Sequence, residues 1–144
     1  MRIAIVTESF LPRVDGVSRS VSALLQYCRR KGHSAIIVAP GHGPHESEGF
    51  PVVRVMGIPA LYPGLVISPV APGLRRLLER FDADCVHLAS PAVLGWTAVR
   101  SARRAGIPLA AHFQTDVAAY ARHYGGGIAS PAVWRWLRRL HNRC

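Results

Sequence analysis

Short apolar runs alternate with helical periodicities along this chain. Ile3-Ala4-Ile5-Val6 is an uninterrupted apolar run, as expected of a strand covered on both faces. A loop over residues 8–16 follows it. From Val17 onward Val17, Val21, Leu24, Leu25 and Cys28 recur at helical spacing. Arg29, Arg30 and Lys31 then precede Gly32, which predicts a helix stop. Ala35-Ile36-Ile37-Val38-Ala39 completes a strand, helix, strand unit. Residues 40–49 show no apolar period and read as a loop, and Val52-Val53-Arg54-Val55 reads as a short strand. Residues 57–72 hold Pro59, Pro63, Pro69 and Pro72 and exclude a single regular element. Leu74, Leu77, Leu78 and Phe81 predict a brief amphipathic helix, and Cys85-Val86-His87-Leu88 a strand. Ser90-Pro91 supplies a cap and a first-turn proline for a helix running to about Ala105. Leu109-Ala110-Ala111 is a further short strand, residues 120–124 a helical turn, and Ser130-Pro131 the start of a last helix containing Val133, Trp134, Leu137 and Leu140. This alternation predicts one α/β domain, a Rossmann-like parallel sheet with helices on both faces.

Composition narrows the picture. With 144 residues and 49% apolar content the chain can form one cored domain but is short for a two-domain enzyme. A formal charge of +10 favours phosphates, nucleic acid or an anionic membrane as partners. Lys31 is the sole lysine, so the arginine count is as well explained by compositional bias as by phosphate recognition. Cys28, Cys85 and Cys144 have neither the spacing nor the parity of a disulfide framework or zinc site, which fits a reducing cytoplasmic setting. The opening segment reaches Glu8 too soon for a secretory signal, and no apolar stretch is long enough to span a membrane. Peripheral attachment through basic residues remains open.

Three strand ends carry candidate chemistry. Asp15-Gly16-Val17 closes the first loop, where glycine permits close backbone approach and free N–H groups at a helix start can hold a phosphate; an ordinary turn explains the same residues. Neither the GxGxxG spacing nor a P-loop is present. His112, Gln114, Thr115 and Asp116 stand at the carboxyl end of a strand, where open α/β sheets place ligands. Gln114, Thr115 and Asp116 can orient sugar hydroxyls or stabilise a leaving phosphate, or Asp116 can simply cap the next helix, while the pattern assigns His112 no role. His87 and Ser90 read as a satisfied histidine and a cap. His42, His45 and Glu46 lack the pattern of a metal site, and no metal or cofactor is expected. The last helix mixes Arg135, Arg138, Arg139, His141 and Arg143 with Trp134 and Trp136, a pattern that suits packing on the sheet or contact with phosphates. No nucleic-acid-binding motif supports a nucleic-acid partner.

Three segments in order, MRIAIVTESFLPRVDGVSRSV, FDADCVHLASP and AGIPLAAHFQTDVAAYARHYG followed by WLRRLHNR, resemble the amino-terminal domain of retaining GT-B glycosyltransferases of the GT4 family, and most closely its actinobacterial GDP-mannose-dependent alpha-mannosyltransferases. The resemblance implies that residues 1–144 are the acceptor-side half of a GT-B fold, with the nucleotide-sugar domain absent and little activity expected of this half alone. It implies that Gly16, between Asp15 and Val17, approaches the donor phosphates or a phosphate-bearing acceptor. Many relatives carry a histidine before Thr-Asp, and here Gln114 precedes Thr115-Asp116. Glutamine cannot act as a general acid or base, so Gln114 and Asp116 are expected to orient the sugar and stabilise charge. The implied reaction moves a hexose, mannose from GDP-mannose, to a lipid-linked or glycan acceptor at the inner face of the plasma membrane without a metal. The competing reading is a non-catalytic α/β module that binds phosphate or lipid.

Overall fold

The computed structural model describes residues 1–59, 66–89, 91–114 and 130–144. Eight strands are present among them: β1 (Arg2–Thr7), β2 (Ser34–Pro40), β3 (Glu46–Ser47), β4 (Phe50–Val55), β5 (Ile58–Pro59), β6 (Val66–Ile67), β7 (Cys85–Ala89) and β8 (Leu109–His112). The helices are α1 (Gly16–Arg30), α2 (Leu74–Phe81), α3 (Val93–Arg104) and α4 (Ser130–His141). Six strands form the main sheet in the order β3-β4-β2-β1-β7-β8, and β5 pairs with β6 in a separate hairpin.

The strands β4, β2, β1, β7 and β8 are parallel, with Ile5 aligned to Ile37 on one side and to His87 on the other. The expectation of a wholly parallel sheet needs one correction. β3 runs antiparallel to β4, with Glu46 opposite Pro51 and Ser47 opposite Phe50. The two strands are joined by Glu48 and Gly49, both at positive φ (53° and 81°), the backbone of a tight two-residue hairpin turn. Gln26 Nε2 donates to Glu48 Oε1 at 3.0 Å and ties this turn to α1. The segment read as a loop over residues 40–49 therefore ends in an edge strand. The proline-rich stretch contributes the hairpin β5–β6, seated where a side chain at Gly57 would collide with Val66 Cγ1 and the Gly41 amide.

Successive strand residues point to opposite faces, so the apolar runs feed two cores. On one face Ile5, Ile37, Ala35 and Ala39 pack with Val17, Val21 and Leu25 of α1. On the other, Ala4, Val6, Ile36, Val38, Val86 and Leu88 pack with Leu74 and Leu78 of α2, Leu94, Ala98, Val99 and Ala102 of α3, and Leu140 of α4. Ile5, Leu25, Ile37, Leu78, Leu88, Leu94 and Leu140 are wholly enclosed, each such side chain contributing roughly 1.5–3 kcal/mol by burial. Helices thus cover both faces, as the alternation predicts. From β1 the chain moves outward through β2 and β4, then returns to β7 and β8 on the other side. That reversal makes the carboxyl ends of β1 and β7 the switch point at which such sheets bind ligands.

Candidate functional site

The loop after β1 is held by its own side chains. Thr7 Oγ1, buried at the strand end, donates to the Ser9 carbonyl at 2.9 Å. Phe10 is buried in the α1-side core and anchors the loop's middle. Arg54 of β4 reaches across, its Nη2 donating to the Leu11 carbonyl at 2.7 Å and to the Pro44 carbonyl at 3.0 Å. Burial lowers the pKa of Arg54, and these carbonyls replace part of its lost hydration.

Asp15 is the N-cap of α1. Its Oδ1 accepts from the Ser18 amide at 2.9 Å, and Ser18 Oγ accepts from the Asp15 amide at 2.8 Å, a reciprocal capping box. Its Oδ2 accepts from the Ser9 hydroxyl and, at 3.0 Å, from Arg13 Nε. Partial burial alone would raise the Asp15 pKa. The Ser9 hydroxyl, the Ser18 amide, Arg13 and the Val17 amide outweigh that and hold the carboxyl below its ordinary value. Asp15 is therefore committed to the helix start and the loop. Val17 turns its side chain into the core, 6% exposed, which leaves only its backbone for a ligand. Gly16 is different: it is exposed, and a Cβ built on it would meet nothing within 4 Å. The one position in the triplet without a side chain faces open space at the start of a helix.

The second strand end holds a residue that sequence reasoning passed over. Glu8 directly follows β1 yet is only 6% exposed. Its Oε1 accepts from the Leu94 amide in the first turn of α3 at 2.6 Å, while Oε2 has no hydrogen-bond partner among the described residues. Desolvation raises the Glu8 pKa from 4.5 to about 7, against the opposing pull of the Leu94, Gly95 and Ala92 amides. The expected cap, Ser90, lies outside the described residues; α3 begins at Val93, its N-cap is Ala92 without a side-chain cap, and Glu8, just after β1, accepts from its first turn. The signal that could have found it is an acid set immediately after a buried strand, ahead of the glycine loop.

At the third strand end, β8 finishes at His112, followed by Phe113 and the half-exposed Gln114. Gln114 Nε2 lies 3.1 Å from His112 Nδ1. His112 meets His87 of β7 edge-on, with ring centroids 6.5 Å apart and planes at 68°. Burial, reinforced by His112, lowers the His87 pKa and keeps that ring neutral. Thr115 and Asp116, like the expected turn at residues 120–124, lie outside the described residues. Phe113 turns the other way and stacks on Trp134 of α4 at 5.8 Å. The sheet thus sets Gly16 and Gln114 on the same carboxyl edge, after β1 and β8, with β7 between those strands. No cluster of three or more metal-ligating side chains occurs among the described residues.

The switch point of an α/β sheet, with the exposed Gly16 at a helix start and the neutral amide of Gln114 on its carboxyl edge, is suited to an anionic, hydroxyl-bearing ligand. Residues 14–144 match the model of Glycosyltransferase Family 4, and the chain belongs to that family. It is 44% identical over 153 residues to a GDP-mannose-dependent alpha-mannosyltransferase of Mycolicibacterium smegmatis, covering 99% of this chain and 40% of that protein. A protein of the same name from Mycobacterium tuberculosis is 45% identical over 148 residues, covering 98% of this chain and 39% of its own length. The chain therefore spans about 40% of these relatives. A glycosyltransferase structure from Rickettsia africae superposes with a TM-score of 0.52 at 13% identity, covering 83% of this chain and 33% of that one, a likeness of fold.

Proposed function

We propose that this chain is the acceptor-side half of a retaining GT-B mannosyltransferase that moves mannose from GDP-mannose to a lipid-linked or glycan acceptor. The observation that carries the reading is Gly16, an exposed helix-start glycine with open space where a side chain would stand. The names of the two mycobacterial relatives supply the donor. Gly16 brings its backbone up to the donor diphosphate, or to a phosphate on the acceptor, and stabilises charge as the glycosidic bond to phosphate breaks. Gln114 and Asp116 orient the sugar, and Asp15 holds the loop. The leaving phosphate takes the acceptor proton, since Gln114 cannot. The nucleotide-sugar domain completes the cleft from the rest of a longer protein.

One further observation favours work at a membrane surface. α2, α3 and α4 lie on the same face of the sheet, and each contributes three exposed arginines: Arg75, Arg76 and Arg80, then Arg100, Arg103 and Arg104, then Arg135, Arg138 and Arg139. Glu79 is the one acid within those three helices. Such a layer complements the anionic inner leaflet, which supports the reading of peripheral attachment there. No described helix is long and apolar enough to cross a membrane.

The test joins this chain to the carboxyl-terminal remainder of the Mycolicibacterium smegmatis relative and measures transfer from GDP-mannose and UDP-glucose to polyprenyl-linked and lipid acceptors. Transfer is expected from GDP-mannose in the fusion and not from the chain alone. Gly16→Ala should cut it at least about ten-fold while leaving thermal stability unchanged or slightly raised, because alanine suits a helix better than glycine. Robust turnover by the chain alone, preference for UDP-glucose, or an active Gly16→Ala variant would sink the reading.

A further inference from the structure

Gln114 is half-exposed and has a hydrogen-bond partner in the protein. Its Nε2 lies 3.1 Å from His112 Nδ1, so the amide has one end tied to protein. An imidazole nitrogen that accepts an N–H carries no proton of its own, so with Gln114 donating, the His112 proton sits on Nε2. The opposite polarity, with Nδ1–H donating to Oε1, would reverse the amide and present a different pattern to a ligand.

His112 is exposed at the end of β8 and has a ring neighbour. His87 meets it edge-on from the neighbouring strand at 6.5 Å, and His87 is half-buried and neutral, so no charge drives the two rings apart. The next residue, Phe113, is fixed on the far side by Trp134 and by His141, whose ring centroid lies 5.9 Å from it. Alternation along an extended chain then sends His112 and Gln114 to a common side.

We propose that His112 is a positioning residue: by accepting one N–H of Gln114 it fixes the amide so that the carbonyl Oε1 and the second N–H face the ligand in a set order. This rests on the reading of Gln114 as a sugar-facing group. An acceptor beside a donor on one rigid amide matches two adjacent sugar hydroxyls, one giving and one taking a hydrogen bond. It also accounts for a histidine beside Gln114 with no acid–base duty. His112 acts through Gln114 and does not touch the reacting atoms.

Two measurements on the isolated chain test this. Long-range proton–nitrogen NMR of ¹⁵N-histidine-labelled protein at about pH 8, where imidazoles are neutral, reads the tautomer directly. The Nε2–H form is expected for His112 in the native chain and a mixture in Gln114→Leu, with His87 unchanged. An Nδ1–H form, or a tautomer indifferent to Gln114→Leu, overturns the proposal. The second measurement follows the Gln114 side-chain amide during titration with methyl α-D-mannopyranoside. His112→Phe keeps a ring against His87 but removes the acceptor, and should weaken binding roughly 3- to 10-fold, the worth of one hydrogen bond, while His112→Gln recovers part of it. Equal binding by His112→Phe also overturns the proposal. The tautomer is read without sugar, so a wild-type Nε2–H form with no mannoside response would support the His112–Gln114 pairing and count instead against the sugar-facing reading.

Discussion

Glu8 does for α3 what no residue in that helix's own first turn does, and its chemistry follows from where it sits. Its Oε1 takes the Leu94 amide, its Oε2 is left without a partner among the described residues, and desolvation lifts its pKa from 4.5 to about 7. Between those two values the folded chain holds a proton that the unfolded chain has released. Stability therefore falls as pH rises through that window, by up to about 3 kcal/mol, and is level on either side. Glu8→Gln keeps an oxygen for Leu94 but cannot titrate, so urea midpoints measured across the window should lose this slope; an unchanged slope would place the effect elsewhere. The one mark of Glu8 in the sequence is its place directly after a buried run; as an acid at the mouth of a loop it otherwise looks like a solvated residue. Gly16 was legible for the opposite reason, since its position between a strand and a helix is itself the signal. Val17 belonged to the helical period and proved to be core.

Among elements, α1 and α3 reach the same end by different routes. α1 has a local cap written in its sequence: Asp15 and Ser18 exchange bonds over a three-residue spacing, with Ser9 and Arg13 bracing the outer oxygen. Asp15→Ala should cost about 1–2 kcal/mol in chemical unfolding, and Asp15→Asn should recover most of it because the amide oxygen can still accept the Ser18 N–H. An alanine variant as stable as the native chain would show that the loop, not the cap, holds the helix. α3 has a Ser-Pro sequence that reads as a cap, but its helix starts at Val93 and its cap comes from Glu8, far away in the chain. Local patterns reveal local bonds, so the periods of α1 to α4 and the buried runs of β1, β2 and β7 were readable. The β3–β4 edge was not. Its strands are short, and its turn uses Glu48 at positive φ, a residue that does not advertise that conformation as Asn or Gly would. The His112–Gln114 pair was half-legible: alternation allowed both to face one side, but only the fold shows them bonded.

At the scale of the whole molecule, the +10 charge acquires a direction. Composition alone left the arginines explicable by bias, yet the sheet gathers nine of them, three from each of α2, α3 and α4, onto one helical layer with Glu79 as the lone acid of those helices. Trp134, 40% exposed and stacked on Phe113, adds an aromatic group that suits the headgroup region. Uniform surface charge would bind an anionic membrane through any face, whereas a layer denser on the side of α2, α3 and α4 would bind through that side. Replacing Arg135, Arg138 and Arg139 with glutamate should weaken binding to phosphatidylglycerol vesicles by roughly a hundred-fold or more, from about 1 kcal/mol per basic residue near the surface. The matched control replaces Arg29, Arg30 and Lys31, exposed at the end of α1 on the opposite face, and changes net charge equally. Sedimentation with vesicles at low and high salt separates the two. Oriented binding gives a large loss in the α4 variant, a small one in the control, and salt sensitivity in the native chain, as expected when screening shortens the reach of surface charge. Equal losses from both faces would reduce the arginine layer to bulk charge, and equal binding to phosphatidylcholine would remove the electrostatic attachment altogether.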